Sequence, residues 1–222
     1  MNQYQKINGL YKRYKEGDKK GKFIIGEYSQ PEFEFLKDII WTYTEKIDGT
    51  NIRCCIYTDP LVEAIDFQGK TDKAQLPKHL LEKLFQLFPK EEVFSVFEPS
   101  EEMPDVCIYG EGFGYKIQSG GKYMQNPKEV DFILFDIKIG HMWLQRKDLE
   151  DIAEKLNIKI VPLVGEGTID EAIEIVKNGY KSNFGDFVAE GLVIKPKIEL
   201  RDRRGHRLIT KIKYVDFKEE DE

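Results

Sequence analysis

Two strand-like segments that meet at a tight turn constrain the fold of this chain more than any other feature. Residues 39–45 alternate aromatic side chains with threonines, which is typical of a strand, and residues 52–57 form the apolar return segment. Asp48-Gly49 between them is a strong turn signal, because such turns need residues that tolerate a positive φ. The sequence therefore predicts a β-hairpin with Lys46 at the mouth of its turn.

The other predicted elements mix strands and helices without regular βαβ alternation. They are a helix over 77–88, strands over 62–67, 106–109 and 132–137, helices over 146–156 and from Thr168 to Gly179, and strands over 191–195 and 208–214 joined by a basic hairpin over 201–207. This order favours an α+β fold with largely antiparallel sheets flanked by helices. We expect one domain over 1–222, with a polar N-terminal extension at 1–22 and an acidic tail at 218–222.

Charge and cysteine content exclude several classes of protein. The formal net charge is −6, which argues against a generally basic nucleic-acid-binding surface but allows a local basic groove. Cys54, Cys55 and Cys107 have neither a disulfide framework nor a zinc-binding spacing, so we expect a reducing, cytoplasmic compartment. The sequence has no long apolar run and no signal pattern, which predicts a soluble protein without a membrane partner.

Several charged residues fall at strand ends or inside apolar strands. They are Lys46 before the turn, Glu111 between two glycines, Glu190 before a strand, and the pair Lys211 and Lys213 within the last strand. Alternation places Lys211 and Lys213 on one face of that strand. Such a pair commonly lies on a solvated face, although the apolar residues around it also fit a functional cleft.

Taken together and in this order, these segments resemble the motifs of the covalent nucleotidyltransferases, the superfamily of ATP-dependent ligases and mRNA capping enzymes. Residues 46–49 (Lys-Ile-Asp-Gly) are similar to the nucleophile motif, and 109–112 (Tyr-Gly-Glu-Gly) to the third motif with 132–137 as its companion strand. Residues 189–195 (Ala-Glu-Gly-Leu-Val-Ile-Lys) resemble the fourth motif, and 211–213 (Lys-Ile-Lys) the fifth. The resemblance covers about 41–217 and implies the adenylation-domain fold of ligases and capping enzymes.

The resemblance also implies a chemistry. Lys46 would attack the α-phosphorus of ATP to form a phosphoramidate and expel pyrophosphate. Cations near a lysine disfavour its ammonium form, so Lys211 and Lys213 would favour the neutral nucleophile and neutralise phosphate charge. By the same resemblance Glu111 contacts the ribose, Glu190 serves Mg²⁺ or Mn²⁺, and Phe135 stacks on the base. For Phe132, plain core packing is an equally good interpretation.

The segment after the nucleophile indicates a branch of the superfamily. Gly49-Thr50-Asn51 is similar to RNA ligases of the T4 RNA ligase 2 type, and Gly69-Lys70-Thr71 resembles a Gly-Arg-Thr segment of that branch, with lysine replacing arginine. Since only nine residues follow Lys213, we expect no OB-fold domain after the fifth motif. The residues expected to bind the nucleotide are Glu45, Lys46, Asn51, Lys70, Glu111, Phe135, Glu190, Lys211 and Lys213.

The sequence thus predicts an ATP-dependent RNA ligase, monomeric and active in RNA repair. It would join RNA 3′-hydroxyl and 5′-phosphate ends through a lysyl-AMP intermediate. The expected lining of its RNA groove is basic: Lys195, Lys197, Arg201, Arg203, Arg204 and Arg207, with Lys70 at the other lip. A solvated turn remains an alternative interpretation of the hairpin over 201–207. A GTP-dependent guanylyltransferase and a minimal DNA ligase remain as alternatives, and a non-catalytic RNA-binding module is an alternative of a different class.

Overall fold

The structure, a computed structural model, describes residues 3–218. Within this range the strands are β1 (Asn8–Gly9), β2 (Tyr11–Arg13), β3 (Phe23–Tyr28), β4 (Trp41–Glu45), β5 (Thr50–Tyr57), β6 (Ala64–Gln68), β7 (Val106–Gly114), β8 (Val130–Ile139), β9 (Met142–Trp143), β10 (Lys159–Ile160), β11 (Leu163–Gly167), β12 (Gly191–Pro196) and β13 (Thr210–Lys213). The α-helices are α1 (Pro31–Phe35), α2 (Lys78–Leu87), α3 (Lys90–Val96), α4 (Arg146–Lys155) and α5 (Ile169–Asn178). The predicted α+β fold with largely antiparallel sheets is confirmed.

These elements form two compact units, which are described separately. Unit I comprises residues 5–46 and 162–218, and unit II comprises residues 3–4 and 47–161. The prediction of a single nucleotidyltransferase domain concerns the chain as a whole and stays a prediction. The predicted acidic tail, apart from Lys218, lies outside the described residues.

Unit I is built on a five-stranded sheet in the order β1-β13-β12-β4-β11. Its pairs are antiparallel except β1 with β13. One face of the sheet is apolar and packs against α5, whose Ile169, Ala172 and Val176 are buried at helical spacing. The predicted polar N-terminal extension contributes to the same core, because Leu10 and Tyr11 are buried in it.

Helix α5 begins where the sequence predicts. Thr168 accepts a hydrogen bond from the Glu171 backbone N–H, and the Glu171 carboxylate accepts one from the Thr168 N–H at 2.7 Å. This reciprocal capping satisfies two backbone donors that the first helical turn leaves open. Gly179 with φ of +71° ends the helix, as expected from its tolerance of a positive φ.

Unit II is built on a sheet in the order β10-β8-β7-β5-β6, with β9 paired to β8. One face carries an apolar core that includes Leu80 and Leu84 of α2 and Leu149 of α4. Helix α2 confirms the helix predicted over 77–88, and its Phe85 is exposed. Cys54, Cys55 and Cys107 are buried free thiols of this sheet, and none of the helices within 3–218 is long and apolar enough to cross a membrane.

The predicted hairpin around Asp48-Gly49 is wrong, although both of its strands exist. β4 pairs with β11 and β12 in one sheet, whereas β5 pairs with β6 and β7 in another. The Asp48 carboxylate instead accepts a hydrogen bond from the Ser119 N–H at 3.2 Å, and a side chain at Gly49 would lie 2.3 Å from the Gly112 carbonyl oxygen. Asp48-Gly49 therefore forms a tight connection, but β4 and β5 each pair with strands from distant parts of the chain.

Strand β7 also runs further than the sequence predicts. It continues through the third motif to Gly114 instead of ending at Tyr109. The reason is that residues 110–114 pair with β8, and a Cβ atom on Gly110 would lie 2.1 Å from the Phe132 ring of that strand. Glycine at position 110 therefore lets the Phe132 ring approach the backbone of β7 closely. Glu111 lies within β7 and not in a loop.

Candidate active site

Lys46 directly follows β4 and lies in a row with Gly191 of β12 and Lys213 of β13. Its backbone N–H donates to the Gly191 carbonyl oxygen at 2.9 Å, and Gly191 is in turn paired with Lys213 on β13. Residues that face one another on antiparallel strands project to the same side of a sheet. Lys46 and Lys213 therefore share one face, and the glycine between them leaves that space free of a side chain.

Glu190 bridges the two lysines of this row. One carboxylate oxygen lies 2.7 Å from the Lys46 Nζ atom, and the other lies 2.7 Å from the Lys213 Nζ atom. The three side chains are only 13–30% exposed, so solvent screens these charges less than it would on the open surface. The sequence predicted each of these residues separately, and the structure brings all three together in what we call the Lys46 cluster.

The motif around Lys211 and Lys213 alternates as predicted. Thr210 and Ile212 are buried, whereas Lys211 and Lys213 are half-buried on the opposite face of β13. Lys211 pairs with Val193, two residues along β12 from Gly191 and therefore on the same face. Three lysines and one carboxylate therefore occupy neighbouring positions on one face of the unit I sheet, which gives that face a local positive charge.

Glu45, also predicted to bind the nucleotide, lies on the other face of the sheet. Its side chain is almost completely buried and accepts hydrogen bonds from the Ser182 hydroxyl, the Asn183 N–H at 3.0 Å and the Asn183 side-chain amide at 2.8 Å. These contacts fix the segment that precedes Glu190. Sequence reasoning missed Ser182 and Asn183, which lie in no recognisable motif, and the role of Glu45 toward a nucleotide stays a prediction.

In unit II, the predicted residues Asn51 and Glu111 face each other across β5 and β7. The Asn51 Oδ1 atom is buried and has no hydrogen-bond partner within residues 3–218. A buried acceptor of this kind is uncommon and calls for an explanation, such as an absent donor. A ribose hydroxyl is a suitable donor, so this pair fits a nucleoside.

Phe135 is half-buried at an irregularity of the β7–β8 pairing. Its ring packs edge-on against Tyr4 with centroids 5.1 Å apart, and the Tyr4 hydroxyl donates to the Asp136 carboxylate at 2.6 Å. Phe132, by contrast, is completely buried in the apolar core against Phe88. Tyr4 is a contact that sequence reasoning missed, because it lies far from every motif.

Lys70 is exposed in the turn that follows β6. That turn is held by Arg53, whose Nε donates to the Gly69 carbonyl at 2.9 Å and whose guanidinium lies 2.7 Å from the Asp72 carboxylate. The Arg53 guanidinium and the Gln3 amide hold the pKa of Asp72 below its usual range. Arg53 is wholly buried, and nothing in its sequence context indicated this role.

The predicted basic groove is only partly as expected. Arg207 is buried, and its Nε donates to the Glu199 carboxylate at 2.8 Å, so it braces the 199–207 segment rather than lining an open surface. Lys197 is exposed but lies 2.7 Å from Glu166. Arg203 and Arg204 are exposed in the turn of the hairpin.

The residues present fit a hydrated Mg²⁺ ion but not an all-protein metal site. No group of three or more histidine, cysteine, aspartate or glutamate side chains converges anywhere in the described part of the chain. Mg²⁺ commonly binds one or two carboxylates together with substrate phosphates and keeps several waters. Glu190 among the lysines of the Lys46 cluster offers that arrangement.

Comparison with known proteins identifies the family. The sequence pattern of the RNA ligase family matches residues 39–215. In structure, the chain is similar to Naegleria gruberi RNA ligase in a ligand-free mutant form (TM-score 0.63, 18% identity, 84% of this chain and 53% of that chain). It is also similar to a mutant of that ligase with ATP and Mn (TM-score 0.62, 18% identity, 82% and 51% covered) and to the form with PPi (TM-score 0.62, 19% identity, 82% and 52% covered).

The chain spans about half the length of these solved structures, and at such identity the similarity shows a shared fold. A search of curated proteins finds no match. The family pattern covers most of the chain, including Lys46, Glu111, Glu190, Lys211 and Lys213. The chain belongs to the RNA ligase family.

Proposed function

We propose that this protein is an ATP-dependent RNA ligase in which Lys46 carries AMP. The Lys46 amine attacks the α-phosphorus of ATP, a P–N bond forms, and pyrophosphate leaves. An oxygen of an RNA 5′-phosphate then attacks the same phosphorus and releases the lysine. Finally an RNA 3′-hydroxyl attacks the activated 5′-phosphate and displaces AMP, which seals the strand.

The observation that carries this proposal is the Lys46 cluster. Glu190 contacts both Lys46 and Lys213 at 2.7 Å, so the nucleophile lies beside a second cation suited to phosphate oxygens. Attack on the α-phosphorus requires the neutral amine, so Lys46 must lose a proton before the P–N bond forms. Lys211 and Lys213 lie on the same sheet face as Lys46, where their charges are suited to phosphate oxygens of ATP.

Several of the other predicted residues receive a role in binding. Asn51 and Glu111 would hydrogen-bond ribose hydroxyls, Phe135 would contact the base, and Lys70 would contact a phosphate as a point charge. Glu190 would hold Mg²⁺ or Mn²⁺, and the bound ion would neutralise charge on the phosphates. The N. gruberi ligase structures with ATP and Mn support this choice of nucleotide and ion.

The test is mass spectrometry of the purified protein after incubation with ATP and Mg²⁺. We expect a covalent AMP on Lys46 and none on Lys46→Ala, with Lys197→Ala as a matched control that keeps the adduct. GTP in place of ATP tests the guanylyltransferase alternative. An adduct that survives Lys46→Ala would remove the assignment, and a wild-type protein that forms no adduct would favour a non-catalytic RNA-binding module.

Substrate choice is tested separately on nicked duplexes. We expect sealing of a nick with RNA 3′-hydroxyl and 5′-phosphate ends, and slower sealing when the nucleotides at the join are changed to deoxyribose. The 2′-hydroxyl offers a donor and an acceptor that DNA lacks, which is the physical basis for discrimination. Equal sealing of both nicks would point to a general polynucleotide ligase.

A further inference from the structure

Unit I contains a basic cleft beside the Lys46 cluster. The cleft has a volume of about 630 Å³, and its lining includes Lys6, Asn8, Ser29, Lys211 and Lys213. It exists because β1 pairs in parallel with β13, with Asn8 opposite Thr210 and Gly9 opposite Lys211. This pairing places Lys6 in the same cleft as Lys211 and Lys213. The sequence had indicated only a polar extension for the segment that contains Lys6.

Lys6, Lys211 and Lys213 give this cleft most of its positive charge. Arg13 also lines it, but its guanidinium makes two 2.8 Å contacts with the Asp216 carboxylate and is neutralised there. Lys6 is exposed and has no ion-pair or hydrogen-bond partner within residues 3–218. Lys213 shares Glu190 with Lys46. The lining of the cleft therefore contains one exposed cation, Lys6, and the cleft adjoins the nucleophile through Lys213.

Size and neutral polar groups distinguish this cleft from a site for a single inorganic anion. Its volume falls in the range of pockets that hold whole drug-sized ligands, roughly 300–1,000 Å³. The Ser29 hydroxyl donates to the Gly9 carbonyl at 2.6 Å and keeps lone pairs that can accept, and Asn8 contributes an exposed amide. Such groups suit sugar hydroxyls, and the lysines suit phosphates.

We propose that this cleft binds the RNA strand that carries the 5′-phosphate, with Lys6 contacting a phosphate of that strand. The proposal deepens the proposed function and rests on it. The terminal phosphate lies at the Lys213 end, where one of its oxygens attacks the phosphorus of lysyl-AMP. In this step a P–O bond forms, the P–N bond breaks, and the Lys46 amine leaves and takes up a proton.

The first experiment separates the two phosphate-dependent steps. Lys6→Ala and Lys6→Glu are compared with Lys12→Ala, a control on the adjacent β2 whose lysine is exposed, contacts Glu27 and does not line the cleft. We expect unchanged formation of lysyl-AMP from ATP in all variants. The rate of AMP transfer from the isolated adduct to a 5′-phosphorylated nicked RNA should fall about tenfold in Lys6→Ala. The slope of the logarithm of this rate against the logarithm of the salt concentration should decrease in magnitude by about one.

The second experiment does not depend on catalysis. Fluorescence anisotropy measures binding of a 5′-phosphorylated RNA and its 5′-hydroxyl counterpart to each variant, with pyrophosphate as competitor. We expect weaker RNA binding in Lys6→Ala and weaker still in Lys6→Glu, while Lys12→Ala matches the wild type. This assay keeps the cleft testable even if Lys46 forms no adduct, which would contradict the proposed function alone.

Two results would overturn the inference. Slower formation of lysyl-AMP in Lys6→Ala, together with normal RNA binding, would assign the cleft to the triphosphate tail of ATP. RNA binding and transfer equal to those of Lys12→Ala would show that Lys6 is a solvated side chain and that the cleft holds no strand.

Discussion

Removing the carboxylate of Glu190 tests the Lys46 cluster most directly. In Glu190→Gln the two lysines lose their shared anion, and two like charges remain on one sheet face. Each contact at 2.7 Å corresponds to a gross Coulomb attraction of about 6 kcal/mol at an effective dielectric constant of about 20. The net effect is much smaller, because the charges regain hydration when the pair is broken.

Burial sets the expected magnitude. Removing one partner of a fully buried pair costs about 3–5 kcal/mol, and an exposed pair contributes about 0–1 kcal/mol. Because Glu190 and Lys46 keep 13% and 18% of their side-chain exposure, we expect Glu190→Gln to lower the free energy of unfolding by about 2–3 kcal/mol. Replacing Lys213 with methionine as well should recover part of that loss, since one cation then remains.

The assay is urea denaturation followed by circular dichroism and by fluorescence. Glu166→Gln is a matched control, because Glu166 contacts Lys197 at the same 2.7 Å in the same unit but with 59% of the lysine side chain exposed. We expect a loss of at most about 1 kcal/mol for this control. Equal losses in Glu190→Gln and Glu166→Gln would refute the argument that burial strengthens the Lys46 cluster.

Two further predictions concern unit I. A Cβ atom at Gly191 would lie 2.0 Å from the Ile212 carbonyl oxygen, and the φ of Gly191 is +148°. Gly191→Ala should therefore lower the free energy of unfolding, measured in urea, by about 1–3 kcal/mol. The same variant should form no adduct on Lys46. Gly165→Ala, whose Cβ would meet only Tyr43 at 3.6 Å, should have a much smaller effect on both. Hydrogen bonds from Thr168 lower the pKa of Glu171 in the folded protein. The Glu171 carboxylate therefore stabilises the folded state fully above the unfolded pKa of about 4.3, and this contribution is lost as the pH falls through the folded pKa. Glu171→Gln should therefore lower stability at pH 7 and reduce the acid dependence of the urea midpoint below about pH 4.3, and an unchanged pH profile would contradict this reasoning.

Local patterns in the sequence determined the element types and the motif residues. Alternation in β13 correctly separated Ile212, in the core, from Lys211 and Lys213 on the other face. The Thr168–Glu171 pattern marked the start of α5, because capping depends on residues only three positions apart. The Lys-x-Asp-Gly segment, read with the later motifs, was enough to identify the family.

Only the tertiary structure decided which strands pair and which groups meet. Asp48-Gly49 predicted a hairpin, yet β4 and β5 belong to different sheets, because strand pairing is decided by apolar faces that come from distant parts of the chain. The bridge from Glu190 to Lys46 joins residues 144 positions apart, and the cleft at Lys6 depends on pairing between β1 and β13. Such contacts follow from packing and register, which no local pattern in the sequence encodes.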